Sequence, residues 1–205
     1  MKALNDKKVN LLFHLVGRFV LRLCGWRVEG RLPDLPKWIC IVAPHTSNYD
    51  FFVALMISWA LRLRANWLGK HTIFRGPVGW ALRRIGGMPV ERSSHHNIVD
   101  EAVAAFAQNG RMRLVLAPEG TRSRMDYWKS GFYHIALRAQ VPLVLAYLDY
   151  GRRVGGIGPV VHLTGNQEED MAVIAAFYEK ITPRHPSLMG PVRLRPGNAE
   201  GEGVR

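Results

Sequence analysis

"KWICIVAPHTSNYDFFVALMISWAL" (residues 37–61) changes character partway along. "WICIVA" is a run of apolar, strand-forming residues without alternation, the pattern of a strand buried on both faces. Beyond Ser47 and Asn48, both good helix N-caps, the chain reads as a helix over about residues 49–63. Between the two lie His45 and, five residues later, Asp50. In a regular helix a separation of five turns the side chains about 140° apart. The pair can meet only if the backbone turns between them, and "TSNY" supplies that turn. His45 is then in the loop after a strand and Asp50 in the first turn of the next helix. Ligands bind at such strand ends in α/β sheets. There Asp50 can fix the imidazole tautomer through one ring nitrogen, leaving the other free to take a proton. Taken alone, a His-x4-Asp pair is a weak signal that occurs often by chance.

The same alternation continues outward. "ANWLGK" (65–70), "MPVER" (88–92), "RMRLVLA" (111–117), "VPLVLAYLDY" (141–150) and "PVVHLTG" (159–165) read as strands. "PVGWALRRIG" (77–86), residues 95–108, "GFYHIALRAQ" (131–140) and "QEEDMAVIAAFYEKI" (167–181) read as helices. Ser93 or Ser94 is placed to cap the second of these, and Asn109-Gly110 to end it. This order predicts an α/β fold with a mostly parallel central sheet flanked by helices. Residues 25–195 form the expected catalytic domain, and the tail from 196 to 205 is expected to be disordered.

Lys and Arg number 28 against 16 Asp and Glu, a net charge of +12. Such a surface suits an anionic partner, either nucleic acid or an acidic membrane. Zinc spacings, aromatic RNA-binding motifs and lysine-rich arms are all missing, so nucleic acid is not the expected partner. Cys24 and Cys40 lie in apolar stretches and read as reduced, packed thiols of a cytosolic protein. Apolar runs free of charge reach only about a dozen residues, short of the roughly 18–20 a spanning helix needs. Neither a spanning segment nor a signal peptide is expected.

Residues 1–24 carry the clearest amphipathic pattern. His14, Arg18 and Arg22 sit four apart and form one polar stripe; Leu11, Leu12, Phe13, Leu15, Val16, Phe19, Val20, Leu21 and Leu23 cover the rest. The helix can pack on the catalytic domain with its stripe exposed, lie in a membrane interface with its cations among phosphates, or do both.

A second constellation raises the significance of His45. "APEGTRSR" (117–124) also follows an apolar strand. Gly120 allows a close backbone approach to a ligand, Arg122 offers a planar fork suited to phosphate, and Glu119 can orient that arginine or an acceptor. Lys129 lies two residues before Gly131, where the next helix opens. Jointly these residues resemble the glycerolipid acyltransferases typified by 1-acylglycerol-3-phosphate acyltransferase. The family's His-x4-Asp motif is matched by His45 and Asp50. Its second motif, a short strand ending in an arginine, is matched by "GGMPVER" and Arg92. Its third is matched by Pro118, Glu119, Gly120, Thr121, Arg122 and Ser123, and its fourth is approached by "VPLVLAY" from Val141. The likeness covers about residues 38–150. Pro44, Glu91, Leu145 and Ala146 depart from the usual pattern.

The resemblance implies transfer of an acyl group from acyl-CoA or acyl carrier protein to a lysophospholipid hydroxyl, most simply that of 1-acylglycerol-3-phosphate. Another lysolipid, such as a lyso-amino-lipid, is the alternative acceptor. His45, oriented by Asp50, would be the general base; Arg92, Glu119, Gly120, Thr121, Arg122 and Lys129 would bind substrate. No metal or cofactor is required. The expected location is the cytoplasmic face of a membrane, with an anionic surface as partner. A basic protein that only binds a membrane surface or nucleic acid is the non-enzymatic alternative, which the intact His45, Asp50 and Glu119 argue against. His71, His95, His96, His162 and His185 read as surface residues, and His134 as a residue beside the third motif.

Overall fold

A computed structural model of the chain describes residues 9–90 and 95–196. In chain order the elements are α1 (Leu11–Leu23), β1 (Arg27–Glu29), β2 (Lys37–Ala43), α2 (Asn48–Ala60), β3 (Asn66–Lys70), α3 (Gly76–Arg84), β4 (Gly87–Val90), α4 (His95–Gln108), β5 (Met112–Leu116), α5 (Gly131–Ala139), β6 (Leu143–Asp149), β7 (Val154–Val161) and α6 (Gln167–Tyr178). The strands form one sheet of order β1-β7-β6-β2-β5-β3-β4. Every neighbouring pair is parallel except β6 and β7. The mostly parallel sheet flanked by helices is therefore present.

β2 lies at the centre, and its side chains divide between two cores. Ile39, Ile41 and Ala43 face one that also holds Phe106 of α4, Phe132 and Ile135 of α5, and Ile174 and Tyr178 of α6. Trp38 and Cys40 face the other with Val144 and Ile157. A strand covered on both sides needs an unbroken apolar run, which is how its sequence reads. Each buried isoleucine, valine or phenylalanine among them contributes roughly 1.5–3 kcal/mol. Both cysteines are free. Burial pushes the Cys40 thiol up to about 12, so it packs as a small apolar group.

Two boundaries and one added strand stand out against the sequence reading. The helix expected to reach residue 63 stops at Ala60. Arg62 takes a left-handed conformation (φ 56°), and the chain turns so that Leu63 enters the core. The last strand begins at Val154, earlier than "PVVHLTG" suggests. Its "GGIG" run looks like a loop but is strand. β1 passes so close that a Cβ on Gly156 would meet the carbonyl of Glu29, and only glycine permits that contact. β1 itself, three residues long, carries no sequence signal. The suggested caps Ser93 and Ser94 and the tail from 197 lie outside the described residues, as do Glu91 and Arg92.

α1 packs on α2 by an unexpected face. Gly17 and Leu21 are buried, and a Cβ on Gly17 would lie 2.7 Å from the carbonyl oxygen of Met56. His14 turns inward as well, its Nδ1 3.4 Å from the carbonyl oxygen of Trp59. Thus only Arg18 and Arg22 of the polar stripe are exposed. Leu11, Leu12, Phe13, Leu15, Val16, Phe19 and Leu23 all point outward, Phe19 at 68 % and Leu23 at 76 % exposure. Among the described residues no helix is long and apolar enough to cross a membrane.

Candidate active site

The parallel strands β6, β2 and β5 are adjacent, so the loops at their C-terminal ends meet. His45 follows the end of β2 across a cis Ala43–Pro44 bond. Ser47 caps α2, its Oγ accepting from the Tyr49 amide at 3.1 Å. Asp50, the third residue of the helix, reaches back and completes a capping box. Its Oδ2 accepts from the amides of Thr46 and Ser47, each at 2.8 Å. The same oxygen lies 3.3 Å from His45 Nδ1. This explains the spacing of five. The aspartate is bound to the helix cap, and the histidine stands two residues before the cap, where the chain has already turned.

Two contacts from distant sequence complete the arrangement. The His45 backbone amide donates to Glu119 Oε2 at 2.7 Å, from the turn after β5. The Tyr150 hydroxyl donates to Asp50 Oδ1 at 2.6 Å, from the end of β6. Asp50 and Glu119 are both buried, whereas the His45 side chain is 25 % exposed, so solute can reach its ring. Burial pushes Asp50 upward, but hydrogen bonds from His45, Tyr150 and the Ser47 amide outweigh it and hold the carboxyl below its ordinary value. Asp50 is therefore an anion at neutral pH. Burial dominates at Glu119 and pushes it up to about 7, despite the opposing hydrogen bond from the His45 amide. With Asp50 on the Nδ1 side, the outer ring nitrogen of His45, Nε2, is the one placed to exchange a proton.

The profile of the family described as Acyltransferase matches residues 27–148, more than half of the chain and all of the strands that carry this pair. The chain belongs to the acyltransferase family. Among its curated relatives, the 1-acyl-sn-glycerol-3-phosphate acyltransferase of Limnanthes alba is 27% identical over 143 residues, 66% of this chain and 50% of that protein. The enzyme of the same description from Cocos nucifera is 29% identical over 143 residues, covering 66% of this chain and 45% of its own length. The chain thus spans about half the length of the curated relatives it matches. The crystal structure of the 1-acyl-sn-glycerophosphate (LPA) acyltransferase PlsC from Thermotoga maritima shares its fold, with a TM-score of 0.56, 18% identity, and coverage of 80% of this chain and 75% of that one.

The other residues expected at the acyltransferase site fall into two groups. Gly120 takes a left-handed conformation (φ 67°) in the turn after β5, which favours glycine. Lys129 is brought back to the same turn: its amide donates to Pro118 O at 2.8 Å, and its side chain lies over the Gly120 Cα. Thr121 Oγ1 accepts from the Ser123 amide, which shapes the loop. Arg122 and Lys129 are exposed, available to an anion arriving from solvent. Arg92 lies outside the described residues. His134 lies on α5, its proton affinity lowered by burial and by Arg138. Tyr150, Thr46 and the segment 182–185 were not foreseen. The His185 amide donates to Thr46 Oγ1 at 3.2 Å, and the Arg184 guanidinium lies over the rings of Tyr49 and Tyr150. Polar residues at the end of an apolar strand were the only available signal for Tyr150.

Proposed function

We propose that the chain transfers an acyl group from an acyl thioester, acyl-CoA or acyl carrier protein, to the free hydroxyl of 1-acylglycerol-3-phosphate. The observation that carries this reading is the His45 ring, held by a buried Asp50 and open to solute, inside the segment that matches the acyltransferase family. The names of the curated relatives support the acceptor.

An alcohol is a weak nucleophile at neutral pH. His45 Nε2 takes its proton as the hydroxyl oxygen attacks the thioester carbonyl carbon. The Asp50 carboxylate stabilises the resulting imidazolium. Collapse of the tetrahedral intermediate breaks the C–S bond, and the imidazolium returns the proton to the departing thiolate. No acyl-enzyme is required, because a thiolate leaves readily. Arg92, Arg122 and Lys129 hold the acceptor phosphate and so fix the hydroxyl against His45. Glu119 holds the backbone of His45 through one carboxylate oxygen.

The protein works at a membrane surface. The outward apolar side of α1 enters the acyl boundary, and Arg18 and Arg22 sit among headgroup phosphates. This placement, on the cytoplasmic leaflet, suits a lipid acceptor and a basic protein.

The test is acyl transfer from labelled acyl-CoA and acyl carrier protein to a panel of acceptors. The reading expects 1-acylglycerol-3-phosphate to be preferred over its dephosphorylated counterpart and over lyso-amino-lipids. It also expects Arg122→Ala to raise the KM for the phosphorylated acceptor most. Equal use of phosphorylated and neutral acceptors by the unaltered protein would contradict the assigned acceptor.

A further inference from the structure

Among the described residues Asp50 has four partners, and they divide unequally between its two oxygens. Oδ2 takes the Thr46 and Ser47 amides and faces His45 Nδ1. Oδ1 takes the Tyr150 hydroxyl, at 2.6 Å the shortest of the contacts. The amides satisfy the helix cap whichever way the carboxylate plane is turned about them. Fixing the second oxygen sets that plane, and with it the lone pair offered to the imidazole.

We propose that Tyr150 is the positioning residue of the His45–Asp50 pair, acting through Asp50 Oδ1; this rests on the proton chemistry proposed above for that pair. The tyrosine is itself held firmly. Its backbone amide donates to Thr182 O at 2.8 Å. Its ring meets Trp26 edge-on, centroids 4.9 Å apart and planes at 89°. The Arg184 guanidinium lies 6.0 Å from its centroid. Trp26, Tyr150, Thr182 and Arg184 all fall outside residues 27–148, so this support is built by parts of the chain flanking the family match.

Burial and the bond to Asp50 drive the Tyr150 hydroxyl well above its ordinary value, so it stays protonated and can only donate across this contact at physiological pH. That donation draws on the carboxylate charge. Without it, more of the charge faces His45, and the imidazolium form gains. Other charged or titratable groups surround the pair: Glu119 from the β5 turn, Arg184 and His185 from the C-terminal segment, and Tyr49 of α2. Cys24 and Arg153 border the cleft of about 360 Å³ beside Tyr150. Tyr150→Phe keeps the ring packing and changes the charge of none of them; besides the bond to Asp50 it removes the hydroxyl's contact with Arg184.

The experiment compares wild type, Tyr150→Phe, Asp50→Asn, the double variant and, for turnover alone, His45→Ala. It uses steady-state kinetics with 1-acylglycerol-3-phosphate and acyl-CoA, and NMR titration of the His45 ring in ¹³C-histidine-labelled protein. Tyr150→Phe should lower kcat roughly tenfold, the loss expected for one hydrogen bond to a charged group, with both KM values little changed. The His45 midpoint should rise. In the Asp50→Asn background, Tyr150→Phe should add nothing. A tyrosine that serves only stability would lower the melting temperature and leave kcat per folded enzyme and the His45 midpoint unmoved, and that result overturns the proposal. Full additivity in the double variant overturns it too. Wild-type turnover by His45→Ala would instead remove the underlying reading, and the NMR titration would still decide whether Tyr150 acts on His45 through Asp50.

Discussion

Asp50 serves two purposes with one side chain: it caps α2 and it faces His45. Its removal therefore affects both stability and activity, whereas Glu119 lets the two be separated. Glu119 titrates near 7 in the folded chain against about 4.5 when unfolded. An acid whose folded value is raised stabilises fully below its unfolded value, and that contribution is lost as pH rises through the folded value. Between about pH 4.5 and 7 this group alone makes stability fall as pH rises, by roughly 3 kcal/mol at the 1.36 kcal/mol each unit represents. Glu119→Gln keeps an acceptor for the His45 amide and cannot ionise. Melting temperatures across that window should show a smaller decline with pH for Glu119→Gln than for wild type; parallel curves would contradict the buried, shifted carboxyl. At this scale the sequence was legible where side chains lie close along the chain. His45, Asp50 and the 118–123 turn could be read from "APHTSNYD" and "APEGTRSR". Tyr150 could not, because its partner is 100 residues away and strand order decides the contact.

At the level of elements, α1 runs against the usual rule that an amphipathic helix buries its apolar side. Its packing seam is Gly17 and Leu21, and most of its leucines and phenylalanines face outward. The amphipathic pattern was plain in the sequence. Which side met the protein was not, since that depends on one glycine fitting against the α2 backbone. Two substitutions distinguish the sides. Gly17→Leu forces bulk against Met56 O and should destabilise the fold by about 1–3 kcal/mol, measured by denaturant unfolding. Phe19→Glu with Leu23→Glu should leave stability near wild type and sharply reduce sedimentation with anionic vesicles. Unchanged vesicle binding would move the membrane contact elsewhere, most simply to exposed Ile73, Val78 and Trp80 around α3.

Across the whole molecule, the sheet order gathers three strand ends into one site. β2 brings His45, β5 brings Glu119, and β6 brings Tyr150. Alternating strands and helices were enough to foresee a mostly parallel sheet, because each buried strand is an unbroken apolar run. The glycine-rich start of β7, its antiparallel direction and the short β1 were not foreseeable, since glycines and three residues carry no periodicity. The net charge of +12 acts over the same scale. Binding to anionic vesicles should weaken as salt rises, each cation near the surface being worth about 1 kcal/mol, but the apolar side of α1 should retain part of it. Complete loss at moderate salt would make the attachment purely electrostatic. The central claim is that His45 takes the acceptor's proton. It is tested most directly by the initial rate of acyl transfer from labelled acyl-CoA to 1-acylglycerol-3-phosphate, measured for purified wild type and a folded His45→Ala variant. The account predicts a rate lower by roughly 10²–10⁴, the loss expected for a general base; a rate near wild type would contradict it.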